Sequence, residues 1–159
     1  MIALLVPSYR RPEQFIRMLQ SVEATASNVR VYAAIDGPDL YDYRAEAEKM
    51  FPDIVWMGVH DVEPTGYKWN RLASEALRNS CNKLFMLGAD DTLFTTPLWD
   101  KALIDDYARL PNKIHVYSLK DSRDENGTPH PIVSREYINA MGYFVPPIFL
   151  HWYVDTSRS

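Results

Sequence analysis

The sequence contains a single cysteine, Cys81, and carries little net charge. One cysteine excludes an internal disulfide and any zinc site built from several cysteines, and an unpaired thiol fits a reducing compartment. The 17 basic and 21 acidic side chains leave a formal net charge of -4. This balance does not favour a nucleic acid or an anionic membrane as a partner through overall electrostatics.

The sequence also has no apolar run long enough to cross a membrane. The most apolar late segment, 142–150, contains two prolines and is much shorter than the roughly 20 residues of a membrane helix. The first residues, MIALLVPSYRR, lack a basic segment before the apolar stretch and a small-residue cleavage site. They therefore predict a first strand and no signal peptide, and we expect a cytoplasmic protein.

Two glycine-rich phosphate-binding motifs are absent as well. Neither G-x-G-x-x-G nor G-x-x-x-x-G-K-[ST] occurs, which weakens dinucleotide-binding and P-loop interpretations. The length of 159 residues fits one domain. The 47% hydrophobic and 24% charged residues are close to average globular usage. An ordinary globular domain is expected.

Strand and helix patterns alternate along the chain. Between the predicted strands, apolar residues recur at helical spacing, most clearly Trp69, Leu72 and Ala76. This alternation predicts an α/β fold with a mainly parallel central sheet flanked by helices. The apolar runs of strand length lie at 2–6, 29–35, 54–59, 83–88 and 114–119.

The pattern changes after the fifth predicted strand. Residues 121–133 are mostly polar and rich in turn formers, which predicts a mobile loop over a site. Ser134 is a suitable N-cap for a short helix through Met141, and Gly142 is a suitable residue to end that helix.

Polar side chains follow four of the predicted strands, at the point where each strand ends. In open α/β sheets, ligands bind in the crevice at the carboxyl ends of the strands. The sequence therefore predicts one site at this edge of the sheet. The residues at these strand ends are Ser8 to Arg11, Asp36 and Gly37, His60 and Asp61, and Asp90 and Asp91.

The adjacent carboxylates of Asp90 and Asp91 are the strongest metal-binding signal. In a partly buried turn they would repel each other unless a cation or a basic side chain offset their charge. Magnesium and manganese commonly take one or two carboxylates and complete their shell with water and substrate phosphates. The alternative is a solvated turn in which Asp91 caps the next helix or turn. The pair alone does not distinguish these interpretations.

Four segments in a fixed order resemble those of the family-2-like GT-A glycosyltransferases. The resemblance covers nearly the whole chain, and the order of the segments is more specific than any one of them. It implies one GT-A (Rossmann-like) domain over 1–159, with a nucleotide-binding part at 1–95 and an acceptor-side part at 96–159 that is either minimal or truncated. The segments are LLVPSYRRP at 4–12, AIDGPD at 34–39, GYKWNRLASEA at 66–76 and LGADDTLF at 87–94.

The resemblance also implies a nucleotide-binding set. In the family the first loop lines the base pocket, the second faces the base or ribose, and the third passes near the nucleotide before the metal motif. Asn70 is expected to hydrogen-bond the base or ribose, whereas Gly66 could simply form a turn. The set is Pro7, Ser8, Tyr9, Arg11, Asp36, Gly66, Lys68, Asn70 and Asp90.

Physical chemistry suits several of these roles. The carboxylate of Asp36 accepts from base N–H or ribose hydroxyl groups, Tyr9 can stack on a base, and Arg11 can offset phosphate charge. Lys68 could approach a phosphate, or it could be a surface cation at a helix start. Trp69 is in phase with the apolar face of its helix and is expected in the core.

The metal motif departs from the family's Asp-x-Asp form because position 88 is a glycine. The resemblance assigns Asp90 chiefly to a Mn²⁺ or Mg²⁺ ion, and Asp91 to the metal, a water or a sugar hydroxyl. It matches Asp155 to the family's general base. His151 could complete the metal shell or contact the diphosphate, and His130 could contact donor or acceptor. For both histidines the alternative is a structural role.

The implied function is transfer of a sugar from a nucleotide-diphosphate-sugar donor to an acceptor hydroxyl, with inversion and with a divalent cation. The acceptor class stays open between a glycan, a lipid carrier, a protein and a modified nucleobase, and the oligomeric state is also open. One alternative is a nucleotidyltransferase or another α/β nucleotide-binding enzyme. Another is a non-catalytic domain that binds sugar nucleotides.

Overall fold

The computed structural model describes residues 1–36, 40–59, 63–119 and 130–147. Within these ranges, the side chains of Asp36 and Val59 are not described. The strands are β1 (Ile2–Ser8), β2 (Val29–Asp36), β3 (Val55–Val59), β4 (Leu84–Leu87), β5 (Val116–Tyr117) and β6 (Ile132–Ser134). The helices are α1 (Pro12–Thr25), α2 (Leu40–Met50), α3 (Thr65–Leu77), α4 (Trp99–Arg109) and α5 (Arg135–Met141).

The strands form one sheet in the order β3-β2-β1-β4-β6-β5. β1 pairs in parallel with both β2 and β4, and β3 pairs in parallel with β2. β6 runs antiparallel to β4 and to β5. The first four predicted strands are therefore confirmed as a parallel set, and an antiparallel pair extends the sheet beyond β4.

Helices cover both faces of the sheet, which explains why the central strands are apolar on both sides. In β1, Ile2, Leu4 and Val6 pack with side chains of α1, α2 and α4. The alternate residues Ala3 and Leu5 pack on the other face with α3 and α5. All five of these strand residues are fully buried. In the described part of the chain, no helix is both long enough and apolar enough to cross a membrane.

The short helix α5 has the predicted ends. The hydroxyl of Ser134 accepts a hydrogen bond from the backbone N–H of Tyr137 at 3.1 Å. Gly142 ends the helix at φ +80°, a left-handed conformation that glycine adopts at little cost. Both signals are local in sequence, and the structure confirms them.

The segment before α5 corrects the sequence-based expectation. Residues 121–133 are predicted as a mobile loop, but Ile132 and Val133 belong to β6, and both are buried. The predicted fifth strand at 114–119 is shortened to β5. β6 has three residues, too few to show an alternating pattern, and its burial comes from pairing with two strands that are distant in sequence. The part of this loop at 121–129 lies outside the described residues.

Candidate functional site

The candidate site lies at the carboxyl edge of the parallel strands, where β1 and β4 end side by side. Ser8 is the last residue of β1, and Asp90 follows the end of β4 by three positions. Asp90 is 6% exposed. Its Oδ2 accepts a 2.6 Å hydrogen bond from the hydroxyl of Ser8. The structure thus joins two of the predicted site residues across 82 positions of sequence.

The two acids of the pair occupy different environments. Asp90 points inward, whereas the side chain of Asp91 is 61% exposed. The guanidinium of Arg11 approaches both, with its Nη1 at 3.6 Å from Asp90 Oδ1 and 3.9 Å from Asp91 Oδ2. Arg11, predicted to offset phosphate charge, therefore lies beside the acid pair.

Burial raises the pKa of Asp90 above its ordinary value. The hydrogen bond from Ser8 and the charge of Arg11 lower that pKa, and the charge of Asp91 raises it, but desolvation is the largest effect. The ionised carboxylate is therefore incompletely compensated by the protein. A bound cation would stabilise it.

Tyr43 of α2 contacts the loop between β1 and α1, a role that was not predicted from the sequence. Its Oη accepts a 2.7 Å hydrogen bond from the backbone N–H of Arg11 and lies 3.0 Å from the hydroxyl of Ser8. Its ring packs edge-on against Phe15, with centroids 5.3 Å apart. In the sequence, the spacing of Tyr43, Ala47 and Met50 indicates only the apolar face of a short amphipathic helix. The available signal was that a fully buried tyrosine needs a partner for its hydroxyl.

Gly88 is tightly packed against β1. A Cβ atom at Gly88 would lie 2.9 Å from Leu4 Cδ1 and 3.0 Å from both Leu5 O and Val6 Cγ2. The carbonyl of Gly88 also accepts a 3.2 Å hydrogen bond from the indole of Trp69. A side chain at position 88 would therefore require its neighbours to shift. Trp69 is 6% exposed and lies in the core, as expected.

The amino-terminal turn of α3 contains Gly66 and Lys68, and both are buried. Because Lys68 is only 5% exposed, the alternative of a surface cation is wrong. Gly66 belongs to the helix, so it does not merely form a turn. Pro64 precedes the helix and provides no side-chain cap. A buried lysine at this edge of the sheet needs compensating polar groups.

Asn70 connects α3 to the backbone that follows α5. Its Oδ1 accepts from the N–H groups of Phe144 and Val145 at 3.0 and 2.9 Å, and its Nδ2 donates to the carbonyl of Val145 at 2.8 Å. A carboxamide has two acceptor positions and two N–H donors, so one N–H remains for any further partner. This structural role was not expected from the sequence.

His130 contacts two residues that flank the acid pair in sequence. Its Nδ1 is 3.2 Å from the carbonyl of Leu87, and its Nε2 is 3.1 Å from the hydroxyl of Thr92. Because a carbonyl only accepts, Nδ1 carries the proton and donates to Leu87. In the neutral ring, Nε2 then accepts from Thr92. These contacts agree with the structural alternative for His130.

The first loop exposes the residue proposed to stack on a base. Tyr9 is 44% exposed, and the guanidinium of Arg10 lies 5.0 Å from its ring centroid. Pro7 lies within β1 opposite Ala34. Asp36 ends β2, but its side chain is outside the described atoms, and so are His60, Asp61, His151 and Asp155.

The described residues fit a magnesium or manganese ion only if water and a bound substrate supply some of its ligands. Among them there is no group of three or more His, Cys, Asp or Glu side chains arranged to hold a metal. Asp90 and Asp91 offer two carboxylates. This number suits an ion that takes its remaining ligands from water and substrate phosphates, and the poorly compensated charge of Asp90 favours such an ion.

Comparison with known proteins identifies the fold as the GT-A type of glycosyltransferases. No protein-family model and no curated protein matches the sequence, so the fold rests on solved structures. The structure of mannosyltransferase PcManGT from Pyrobaculum calidifontis, in complex with GDP-Man and Mn²⁺, matches at a TM-score of 0.62 and 16% identity. The match covers 90% of this chain and 47% of that one.

Two further structures resemble the chain. S. aureus TarS 1-349 in complex with UDP matches at a TM-score of 0.65 and 11% identity, over 90% of this chain and 49% of that one. The 4-diphosphocytidyl-2C-methyl-D-erythritol synthase of Anaerococcus prevotii matches at 0.53 and 12%, over 89% and 73% of the two chains. At these identities the similarity shows the fold alone. The chain spans about half the length of the mannosyltransferase and of TarS 1-349.

Proposed function

We propose that this chain is the donor-binding core of a metal-dependent glycosyltransferase. The observation that carries the proposal is the buried carboxylate of Asp90, held by Ser8 at the end of β4 with Asp91 beside it. On a GT-A fold, this edge of the sheet is the place where ligands are expected. The reaction would move a sugar from a nucleotide-diphosphate-sugar to an acceptor hydroxyl, with inversion.

The acid pair would hold the divalent cation, and its neighbours would bind the nucleotide. A bound Mn²⁺ or Mg²⁺ would supply Lewis-acid stabilisation of the leaving diphosphate. Asp90 would be the principal protein ligand, because its negative charge is incompletely compensated by Ser8 and Arg11. Asp91, exposed beside it, would hold the cation, one of its waters or a sugar hydroxyl.

The remaining assignments follow the resemblance of the sequence segments. The exposed ring of Tyr9 would stack on the base, with Pro7 and Gly66 close to the nucleotide. Lys68 would neutralise phosphate charge, and Asp36 would accept from base or ribose. His151 would complete the metal shell or contact the diphosphate, and Asp155 would take the acceptor's proton. Asn70 is left with one N–H for the nucleotide, because its other groups hold the backbone after α5.

The structural neighbours support the choice of donor. One was solved with GDP-Man and Mn²⁺ and another with UDP, so we propose a GDP- or UDP-sugar. A nucleotidyltransferase is the second candidate. It is favoured by the similarity to the 4-diphosphocytidyl-2C-methyl-D-erythritol synthase, of which the chain covers 73%.

A substrate screen separates the two candidates. Purified protein is incubated with Mn²⁺ and either GDP- and UDP-sugars or nucleoside triphosphates with sugar phosphates, and the release of nucleoside diphosphate or pyrophosphate is measured. A glycosyltransferase slowly releases GDP or UDP from one donor. Pyrophosphate release alone would favour the nucleotidyltransferase, and binding of the donor without turnover of either class would favour a non-catalytic domain.

The general base has its own test. Asp155→Asn should keep donor binding and lower transfer by about 10²- to 10⁴-fold, the range typical of general acid–base catalysis. Donor affinity and transfer rate are measured on the same preparation. Full transfer activity in this variant would remove Asp155 from the mechanism.

A further inference from the structure

The guanidinium of Arg11 occupies the space beside the acid pair on the side that Ser8 leaves open. Ser8 donates to Oδ2 of Asp90, whereas Arg11 faces Oδ1 of the same carboxylate at 3.6 Å and also reaches Asp91 at 3.9 Å. A divalent cation bound between the two acids would meet the same oxygens. Arg11 and the cation therefore cannot both keep their closest approach to the pair, because like charges repel.

The backbone of Arg11 is held by hydrogen bonds, whereas its side chain makes two long contacts with the acid pair. Its N–H donates to Tyr43 at 2.7 Å, and its carbonyl accepts from the N–H of Phe15 at 3.0 Å in the first turn of α1. The side chain is 55% exposed. Distances of 3.6 and 3.9 Å are beyond good hydrogen-bonding geometry, so this ion pair can be broken at low cost.

We infer that Arg11 is a resident countercharge that competes with the divalent cation for the acid pair and is released to the donor's diphosphate when the cation binds. The inference rests on the proposed function. A guanidinium pairs well with phosphate oxygens, so the group displaced by the cation gains a new partner only when the nucleotide is present. Cation and nucleotide should therefore bind cooperatively.

Binding of Mn²⁺ alone tests the competition, with free Mn²⁺ followed by electron paramagnetic resonance. Arg11→Gln should bind Mn²⁺ about fivefold more tightly than the wild type, since the competing ion pair is gone. With saturating Mn²⁺, the same variant should bind GDP or UDP more weakly than the wild type. Arg11→Lys keeps the charge and should bind Mn²⁺ alone much as the wild type does.

Arg10→Gln is the matched control, because it removes the same charge from the same loop while Arg10 contacts Tyr9 and not the acid pair. An equal gain of Mn²⁺ affinity in this control would assign the effect to overall charge and overturn the inference. Equal or weaker Mn²⁺ binding by Arg11→Gln would overturn it while leaving the proposed function intact. If the wild type binds no Mn²⁺ even with GDP or UDP present, both the inference and the proposed metal site fail.

Discussion

Two buried aspartates lie at opposite ends of the parallel strands, and the structure holds them in different ways. Asp100, in the first turn of α4, is fully buried. Its Oδ2 accepts from the backbone N–H groups of Ser27 and Asn28 at 3.0 and 2.7 Å. Asp90 accepts from the hydroxyl of Ser8 and faces a loosely placed guanidinium.

This difference separates a structural carboxylate from a candidate ligand. The donors of Asp100 are part of the main chain between α1 and β2, so they cannot leave without local unfolding. The polar neighbours of Asp90 are side chains, one of them largely exposed, and a second carboxylate adjoins it. Burial alone therefore does not mark a functional acid. What distinguishes Asp90 is that its polar partners are side chains and that a second carboxylate lies next to it.

The largest expected difference between Asp90 and Asp100 is the effect of their substitution on the turnover rate. Asp90→Asn should lower the transfer or donor-hydrolysis rate by about 10²-fold or more, the scale of losing one preorganised charge-stabilising group. Asp100→Asn should leave the rate per folded molecule within a few fold. Rates are measured at saturating Mn²⁺ with the active donor. Comparable losses in both variants would contradict the functional difference between Asp90 and Asp100.

Stability should show the reverse order. Asp100→Ala removes the acceptor of two backbone N–H groups and should cost about 2 kcal/mol of unfolding free energy. Asp90→Ala should cost less, because its ionised carboxylate is poorly compensated in the folded protein. Urea denaturation of both variants without metal measures the two values. A larger loss in Asp90→Ala would make Asp90 the structural residue.

Tyr43 of α2 offers a smaller test, with Tyr32 of β2 as its control. Tyr43→Phe should cost about 1 kcal/mol and weaken Mn²⁺-dependent nucleotide binding, because the hydroxyl holds Arg11 and adjoins Ser8. Tyr32→Phe removes a buried hydroxyl that accepts from Asn82 at 2.8 Å. It should cost a similar free energy without changing nucleotide binding. Equal binding losses in the two variants would indicate a general effect of destabilisation.

The smallest effect is the pH dependence contributed by Asp90. Burial raises its pKa, so this group favours folding fully below its ordinary pKa near 4 and loses that contribution as pH rises through the higher folded-state value. Asp90→Asn should therefore gain stability relative to the wild type as pH rises above about 4 in metal-free buffer. Thermal unfolding of both proteins over this range checks the sign. A constant difference would contradict the raised pKa.

Local patterns predicted most of the fold, and tertiary contacts account for the rest. The parallel strands, their helices and the ends of α5 follow from apolar spacing and capping residues. β6 was missed because three residues carry no readable period. The burial of Lys68 and the tight contact at Gly88 depend on neighbours distant in sequence.

The sequence predicted which residues at the strand ends form the site, but it did not predict the hydrogen bonds that hold them. Topology brought Ser8, Arg11 and Asp90 together as expected. The hydrogen bonds between Asn70 and the backbone after α5, and the one that the Arg11 backbone donates to Tyr43, require the packed structure. A polar residue in a helical pattern does not reveal whether it will meet a ligand or another segment of the chain.

Calorimetric titration of GDP and UDP, with and without Mn²⁺, tests the central claim most directly. The acid pair should make binding of at least one nucleotide dependent on Mn²⁺, and Asp90→Asn should abolish that dependence. Nucleotide binding that is equally tight without the metal, or that Asp90→Asn leaves unchanged, would contradict a cation site at Asp90 and Asp91.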